Sequence, residues 1–129
     1  CNWLQAVEIG IDPAHTSFLH RVLEDEPLDA AYGRQFRGAS AGSVAGERWP
    51  MTRIMRSFAR PEIALDAAAE GLTRITTTRR IDAHTLHVRV TQSLFPQTFV
   101  IPLSETITIT QWHVPVDDTH TWWYSMFTS

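Results

Sequence analysis

The run Leu86-His87-Val88-Arg89-Val90-Thr91 alternates apolar and polar side chains, and Thr106-Ile107-Thr108-Ile109-Thr110 does the same further along the chain. A period of two residues is typical of a β-strand with one buried and one wetter face. Turn-forming sequences divide this part of the chain at Glu70-Gly71, Ile81-Asp82-Ala83, Phe95-Pro96-Gln97 and Val116-Asp117-Asp118. The pattern therefore predicts about five antiparallel strands in meander order, at 62–69, 72–81, 85–94, 106–115 and 120–128.

Helical signals take over upstream of the predicted sheet, in residues 2–23. Apolar residues recur there at helical spacing, and Asp12-Pro13 has the form of an N-cap followed by a first-turn proline, so we expect two short helices that meet near Gly10. From Glu24 to Pro50 the periodicity fails, which predicts a long loop. Helices followed by a meander predict an α+β fold, here an incomplete helix-grip (START-like) antiparallel sheet packed against helices.

The two ends of the chain are apolar. It begins Cys1-Asn2-Trp3 without an initiator methionine and closes with Trp122-Trp123-Tyr124-Ser125-Met126-Phe127. Domain termini are normally polar and frayed, so we expect residues 1–129 to be part of a domain within a longer polypeptide. A length of 129 residues is enough for one domain at most.

The composition narrows the class of function. The formal net charge is −3 and the basic residues form no stripe, so we expect no nucleic-acid partner. Apolar runs stay short of the roughly 18 residues that a membrane span needs, and a signal peptide is not evident, so we expect a cytoplasmic protein with no membrane partner. The single cysteine, Cys1, cannot form an internal disulfide.

One segment carries residues with metal-ligand character: Asp12, His15 and His20, preceded by Glu8. Two imidazoles and a carboxylate are the protein ligands of many non-haem Fe(II) centres. On a regular helix His15 and His20 would point about 140° apart, so they reach one metal only if the helix bends or ends between them. The spacing alone leaves open that both histidines are ordinary helix residues and that Asp12 is only a helix cap.

The run Asn2-Trp3-Leu4-Gln5-Ala6-Val7-Glu8-Ile9-Gly10-Ile11-Asp12-Pro13-Ala14-His15-Thr16-Ser17-Phe18-Leu19-His20-Arg21 resembles the iron-binding helix of the Rieske-type aromatic ring-hydroxylating oxygenases. That family's pattern is an acidic residue, three others, Asp, two others, His, four others and His, and Glu8, Asp12, His15 and His20 meet it in full. Further along, Trp112-His113-Val114-Pro115-Val116-Asp117-Asp118-Thr119-His120-Thr121 is similar to a strand and turn of phthalate dioxygenases and lignin-aromatic O-demethylases.

The resemblance implies roles for three residues. His15 and His20 would be two ligands of a mononuclear Fe(II), and Asp12 the catalytic aspartate that bridges this iron to the [2Fe–2S] cluster of a neighbouring subunit, in a homo-oligomer of the trimer type. The family's cluster-bearing Rieske domain would precede Cys1, and its third iron ligand, a carboxylate, would follow Ser129. We therefore expect residues 1–129 alone to be inactive.

The activity that the resemblance implies is that of the oxygenase component of a Rieske non-haem iron system. Such a component uses O₂ and electrons from NAD(P)H, delivered by a reductase or ferredoxin, to hydroxylate or O-demethylate a small aromatic substrate, here a carboxylated one, in aromatic hydrocarbon catabolism. The alternative is a metal-free helix-grip module that binds a hydrophobic ligand. Such a module would have no need of the Asp-x2-His-x4-His run.

Two further groups of residues each have two interpretations. His113 and His120 could hold a second metal, but we favour a turn capped by Asp117 or Asp118, with the histidines hydrogen-bonded nearby. A set of aromatic residues could line a substrate pocket, although core packing is the favoured interpretation: Trp112, Trp122, Trp123, Tyr124 and Phe127.

Three arginines could clamp a substrate carboxylate, namely Arg79, Arg80 and Arg89. The favoured alternative is that they occupy solvated positions on the strands.

Overall fold

The computed structural model describes residues 1–19, 51–103 and 107–129. Over these ranges it contains three α-helices: α1 (Trp3–Ile11), α2 (His15–Leu19) and α3 (Met51–Ser57). The strands are β1 (Glu62–Ala67), β2 (Leu72–Arg80), β3 (Leu86–Leu94), β4 (Thr98–Pro102), β5 (Thr108–Pro115) and β6 (Thr121–Thr128). A 3-10 turn, Ala69–Gly71, joins β1 to β2. The predicted loop at 24–50 lies outside the described residues.

The six strands form one antiparallel sheet in the order β1-β2-β3-β4-β5-β6. This confirms the predicted α+β class and the meander order. The prediction of about five strands was wrong because it omitted β4. That strand is short, begins two residues after Pro96, ends at Pro102 and does not alternate, so it carries none of the signals that identified the others. Helix α3 was also not predicted.

Helix α1 packs across β4 and β5 and defines the inner face of the sheet. Val7 of the helix, Phe99 of β4 and Ile109 of β5 are all buried there. Gly10 permits the close approach, because a Cβ at this position would overlap the Phe99 ring. The helix ends at Ile11, and Asp12 is extended with ψ 113° because the residue before a proline is disfavoured in the α region.

The inner face is more polar than the sequence pattern predicted. On β3 the alternation places His87, Arg89 and Thr91 on the inner face, while Leu86 and Val88 on the outer face are 48% and 54% exposed. The predicted alternation of one covered and one wetter face is therefore present, but the covered side chains are the polar ones: Thr91 is buried, and His87 and Arg89 are half-buried. The neighbouring strands place further residues on the inner face: Thr77 and Arg79 on β2, Phe99 on β4, His113 on β5 and Trp123 on β6.

Strand β6 carries large apolar side chains on both faces, as its alternation predicted. Trp122 and Trp123 lie on opposite faces and are 62% and 63% exposed. Tyr124 and Phe127 are also exposed, so core packing within the described chain is the wrong interpretation for these four aromatics. Among the described helices, none is long and apolar enough to cross a membrane.

Candidate metal centre and cationic face

His15 begins α2, directly after the break that separates it from α1. Its Nδ1 lies 2.6 Å from the main-chain oxygen of Asp12. Because a carbonyl can only accept a hydrogen bond, Nδ1 carries the proton and the lone pair of the neutral ring lies on Nε2. A ligand histidine is commonly oriented in this way, with one nitrogen donating to a carbonyl and the other facing the metal.

Asp12 supports this turn with two different groups. Its carboxylate Oδ1 accepts a hydrogen bond of 2.8 Å from the amide of Ala14, so the side chain caps the turn into α2. The main-chain oxygen of Asp12 is the group that holds His15 Nδ1. The carboxylate itself is exposed.

The break between the two helices lies before both candidate ligands. Helix α2 continues from His15 through Ser17 to Leu19, and the irregular residues are Asp12–Ala14. A bend before His15 cannot change its direction relative to His20, so convergence of the two rings requires a change of direction at or after Leu19. His20 lies outside the described residues, and the shared site stays a prediction. Within the described ranges, no group of three or more His, Cys, Asp or Glu residues could hold a metal ion.

Arg79 connects the sheet to the turn that carries His15. Its Nε donates to the main-chain oxygen of Phe58 at 2.9 Å, and one terminal nitrogen donates to the Pro13 oxygen at 3.2 Å and to Ser17 Oγ at 3.4 Å. Arg79 is 2% exposed and Ser17 is 1% exposed. Burial lowers the pKa of the Arg79 guanidinium. The predicted solvated position is therefore wrong for Arg79, whereas Arg80, on the outer face, is exposed.

Arg89 and His87 extend the cationic surface along β3. His87 lies opposite Arg79 across the β2–β3 pair, and Arg89 lies opposite Thr77, whose hydroxyl donates to the Arg89 main-chain oxygen. Burial, with a smaller contribution from the charge of Arg79, lowers the pKa of Arg89 to about 10. Solvated strand positions are thus wrong for Arg89 as well.

The His87 side chain is also partly desolvated. Burial lowers its pKa to about 4, and the positive charges of Arg79 and Arg89 act in the same direction. Its Nδ1 is buried without a hydrogen-bond partner in the described structure. The Arg89 guanidinium likewise makes no hydrogen bond or ion pair with a described residue. His87 is absent from the site residues that the sequence predicts. Its position two residues before Arg89, which places both on one face of a strand, is the signal that could have identified it.

The second pair of histidines is separated by the structure. His113 is 6% exposed and its ring stacks between Phe99 and Trp123, with centroid distances of 5.2 and 5.8 Å. His120 lies in the β5–β6 turn, where its Nδ1 is 2.9 Å from the Asp117 carboxylate. Asp117 Oδ1 accepts from the Thr119 amide, and this bond, followed by those from the His120 ring and the Thr119 hydroxyl, lowers the pKa of the carboxyl to about 2. The capped turn is confirmed for Asp117 and His120, whereas His113 belongs to the stacked inner face.

Comparisons with known proteins agree over almost the whole chain. A family model described as LigXa C-terminal domain like matches residues 1–128. The oxygenase subunit of phthalate 4,5-dioxygenase from Pseudomonas putida is 31% identical over 128 residues, which are 98% of this chain and 26% of that protein. The chain thus spans about a quarter of this relative's length. No solved structure matches. These matches confirm the resemblance to ring-hydroxylating oxygenases.

Proposed function

Because this chain belongs to the LigXa C-terminal domain-like family, we propose that it forms the mononuclear-iron catalytic domain of a Rieske-type oxygenase. The proposed oxygenase uses O₂ and electrons from NAD(P)H, which a reductase or ferredoxin delivers, to hydroxylate or O-demethylate a carboxylated aromatic substrate. We assign the sheet with α1 on its inner face to the helix-grip type. The similarity to an oxygenase subunit and the polar inner face support this proposal.

His15 and His20 are the residues that would hold the ferrous ion. The His15 ring fits this role because its Nδ1 donates to the Asp12 oxygen and its lone pair lies on Nε2. When bound, the iron supplies the site where O₂ is activated beside the substrate. The exposed Asp12 carboxylate, fixed by the Ala14 amide, is available to a neighbouring subunit of a homo-oligomer.

The [2Fe–2S] cluster does not fit this chain. A Rieske cluster takes two cysteine and two histidine ligands, and the sequence has one cysteine. We therefore assign the cluster to another part of the oxygenase.

The observation that carries the choice of substrate is the cationic inner face. Arg89 is a desolvated guanidinium with no counter-charge among the described residues, and it lies beside Arg79 and His87 on neighbouring inner-face positions. A desolvated guanidinium without a carboxylate partner is unfavourable unless an anion binds to it. An aromatic carboxylate supplies that anion and pairs with a guanidinium through two parallel hydrogen bonds.

The same surface argues against the metal-free alternative. A cavity for an uncharged hydrophobic ligand is lined mostly by apolar side chains. Guanidinium groups on the inner face would lose hydration to such a ligand and gain no partner.

Binding of phthalate to the protein that carries this sequence tests the substrate class. Arg89→Gln should weaken phthalate binding about 10-fold to 100-fold, the range expected when a charged hydrogen-bond donor is removed. Arg80→Gln is the matched control, since it removes the same charge from the outer face of the adjacent strand and should leave the affinity unchanged. Wild-type affinity in Arg89→Gln, measured by isothermal titration calorimetry, would refute the carboxylate assignment.

Iron content tests the metal assignment. His15→Ala and His20→Ala should each remove the bound iron, because each deletes an imidazole ligand. His120→Ala, at an exposed turn position, should retain it. Metal analysis of anaerobically purified protein gives the answer, and a full complement of iron in His15→Ala would exclude His15 as a ligand.

A further inference from the structure

We propose that Arg79 is a positioning residue that fixes the direction of the His15 imidazole by holding the turn on both sides of it. This inference rests on the proposed function, because it assigns His15 to the metal. Arg79 itself is not a substrate clamp, since its guanidinium is already bound to protein oxygens.

The contacts of Arg79 surround His15 in the sequence. One terminal nitrogen donates to the Pro13 oxygen, two residues before His15, and lies 3.4 Å from Ser17 Oγ, two residues after it. The Asp12 oxygen then fixes the ring by accepting from His15 Nδ1. The main chain and the ring are thus held by separate hydrogen bonds.

The opposite end of the guanidinium is anchored to a different element. Arg79 Nε donates to the Phe58 oxygen, directly after α3, at 2.9 Å. Arg79 is therefore the point at which β2, the residues after α3 and the α1–α2 turn meet. Through these bonds the position of Arg79 on the sheet is transmitted to the turn that carries His15.

Arginine suits this role better than lysine. Its planar fork directs five N–H donors along fixed directions, so one group reaches three oxygens on two sides. A lysine would reach the same space with one flexible ammonium group. Complete burial of Arg79, at 2% exposure, also means that these bonds are not replaced by water when they are lost.

The test uses Co(II) as a spectroscopic probe of the site in the protein that carries this sequence. Arg79→Gln should weaken Co(II) binding at least 10-fold and change the visible d–d absorption band, since His15 would no longer be held in one direction. Arg79→Lys should recover part of the affinity and of the band. Arg80→Gln, next in the strand and on the outer face, should match the wild type in both.

A structural role alone predicts a different result. It would lower the thermal unfolding midpoint of Arg79→Gln but leave the Co(II) band and affinity of the folded protein unchanged, and that outcome would overturn the proposal. Should Arg79→Gln fail to fold, Ser17→Ala decides the matter. That variant removes a single acceptor and should weaken Co(II) binding about 3-fold, and an unchanged affinity would overturn the proposal.

His15→Ala separates this inference from the proposed function. If His15→Ala binds Co(II) like the wild type, the metal assignment fails and hydrogen exchange of the metal-free protein tests Arg79 instead. The Ser17 amide donates to the Ala14 oxygen at 3.0 Å. Arg79→Gln should speed exchange in residues 12–19 at least 10-fold while β4 and β5 stay unchanged, and equal exchange would show that Arg79 does not hold the turn.

Discussion

Protonation of His87 should destabilise the folded protein in mildly acidic solution. Its ring lies on the inner face opposite Arg79 and two residues from Arg89, and burial followed by these two charges lowers its pKa from 6.5 to about 4. The unfolded chain therefore binds a proton more readily than the folded chain between these two pH values. Stability contributed by neutral His87 is fully present above the unfolded pKa and is lost as the pH falls from about 6.5 towards 4.

The size of the effect follows from the shift. A difference of about 2.5 pKa units corresponds to roughly 3 kcal/mol for a fully buried group. The His87 ring is only half-buried and solvent screens its charge, so between about pH 7 and about pH 5 the free energy of unfolding should fall by about 1 kcal/mol. A domain of this size is typically stable by roughly 5–15 kcal/mol, so the change is readily measured.

Urea unfolding of the wild type and two variants at both pH values tests this account. His87→Gln should remove most of the pH dependence, because glutamine cannot be protonated there. His84→Gln, at an exposed position in the connection that precedes β3, should keep it. A residual slope is expected from His113, whose pKa burial also lowers. If His87→Gln lost as much stability as the wild type between the two pH values, His87 would not be the group that titrates.

Three further results are expected. Gly10→Ala should lower the free energy of unfolding by about 1–3 kcal/mol in chemical denaturation, because the new methyl group would overlap the buried Phe99 ring. Unchanged stability would show that the Phe99 ring can move aside. Asp12→Asn should keep the Ala14 cap and the iron but collapse turnover, whereas near-normal turnover would exclude the bridging role. The 129-residue chain should self-associate at tens of micromolar through the exposed apolar side chains around Trp122 and Trp123. Trp122→Ser should reduce the mass measured by light scattering, and a stable wild-type monomer would contradict this prediction.

The strand order could be predicted from the sequence because turns and period-two alternation are local signals. The predicted strand at 85–94 differs by one residue from β3, and the one at 72–81 by one residue from β2. Strand β4 could not be found in this way, because its five residues, which end at Pro102, contain no alternation.

Turns and alternation could not predict that polar side chains line the inner face. Alternation shows that Val88 and Arg89 lie on opposite faces, but only the packing of distant helices determines which face is covered. Hydropathy favours burial of Val88, whereas the structure leaves Val88 exposed and half-buries Arg89. The proposed carboxylate site would account for this departure from hydropathy, because a binding site needs charge where a core needs none.

The sequence proposes the residues of the candidate site but not the bonds that support them. Asp12 and His15 are proposed from the family resemblance, since their spacing alone is ambiguous, and the Asp12 cap follows from its position before Pro13. The bond from Arg79 to Pro13 joins residues that are 66 positions apart, and no local pattern connects them. The Asp12 oxygen that orients His15 is a main-chain atom, which every residue has, so its role depends on the backbone conformation alone.

The docking of α1 on β4 and β5 has a consequence for synthesis. About 90 residues separate Gly10 from Phe99, so the helix leaves the ribosome well before the strands that it covers. At roughly 5–20 residues per second, it waits about 5–20 s for them. During that interval the hairpins can form in order, since each strand pairs with its neighbour in sequence. The turn that carries His15 thus takes its final position after most of the sheet exists, and the site is assembled late although its residues are made early.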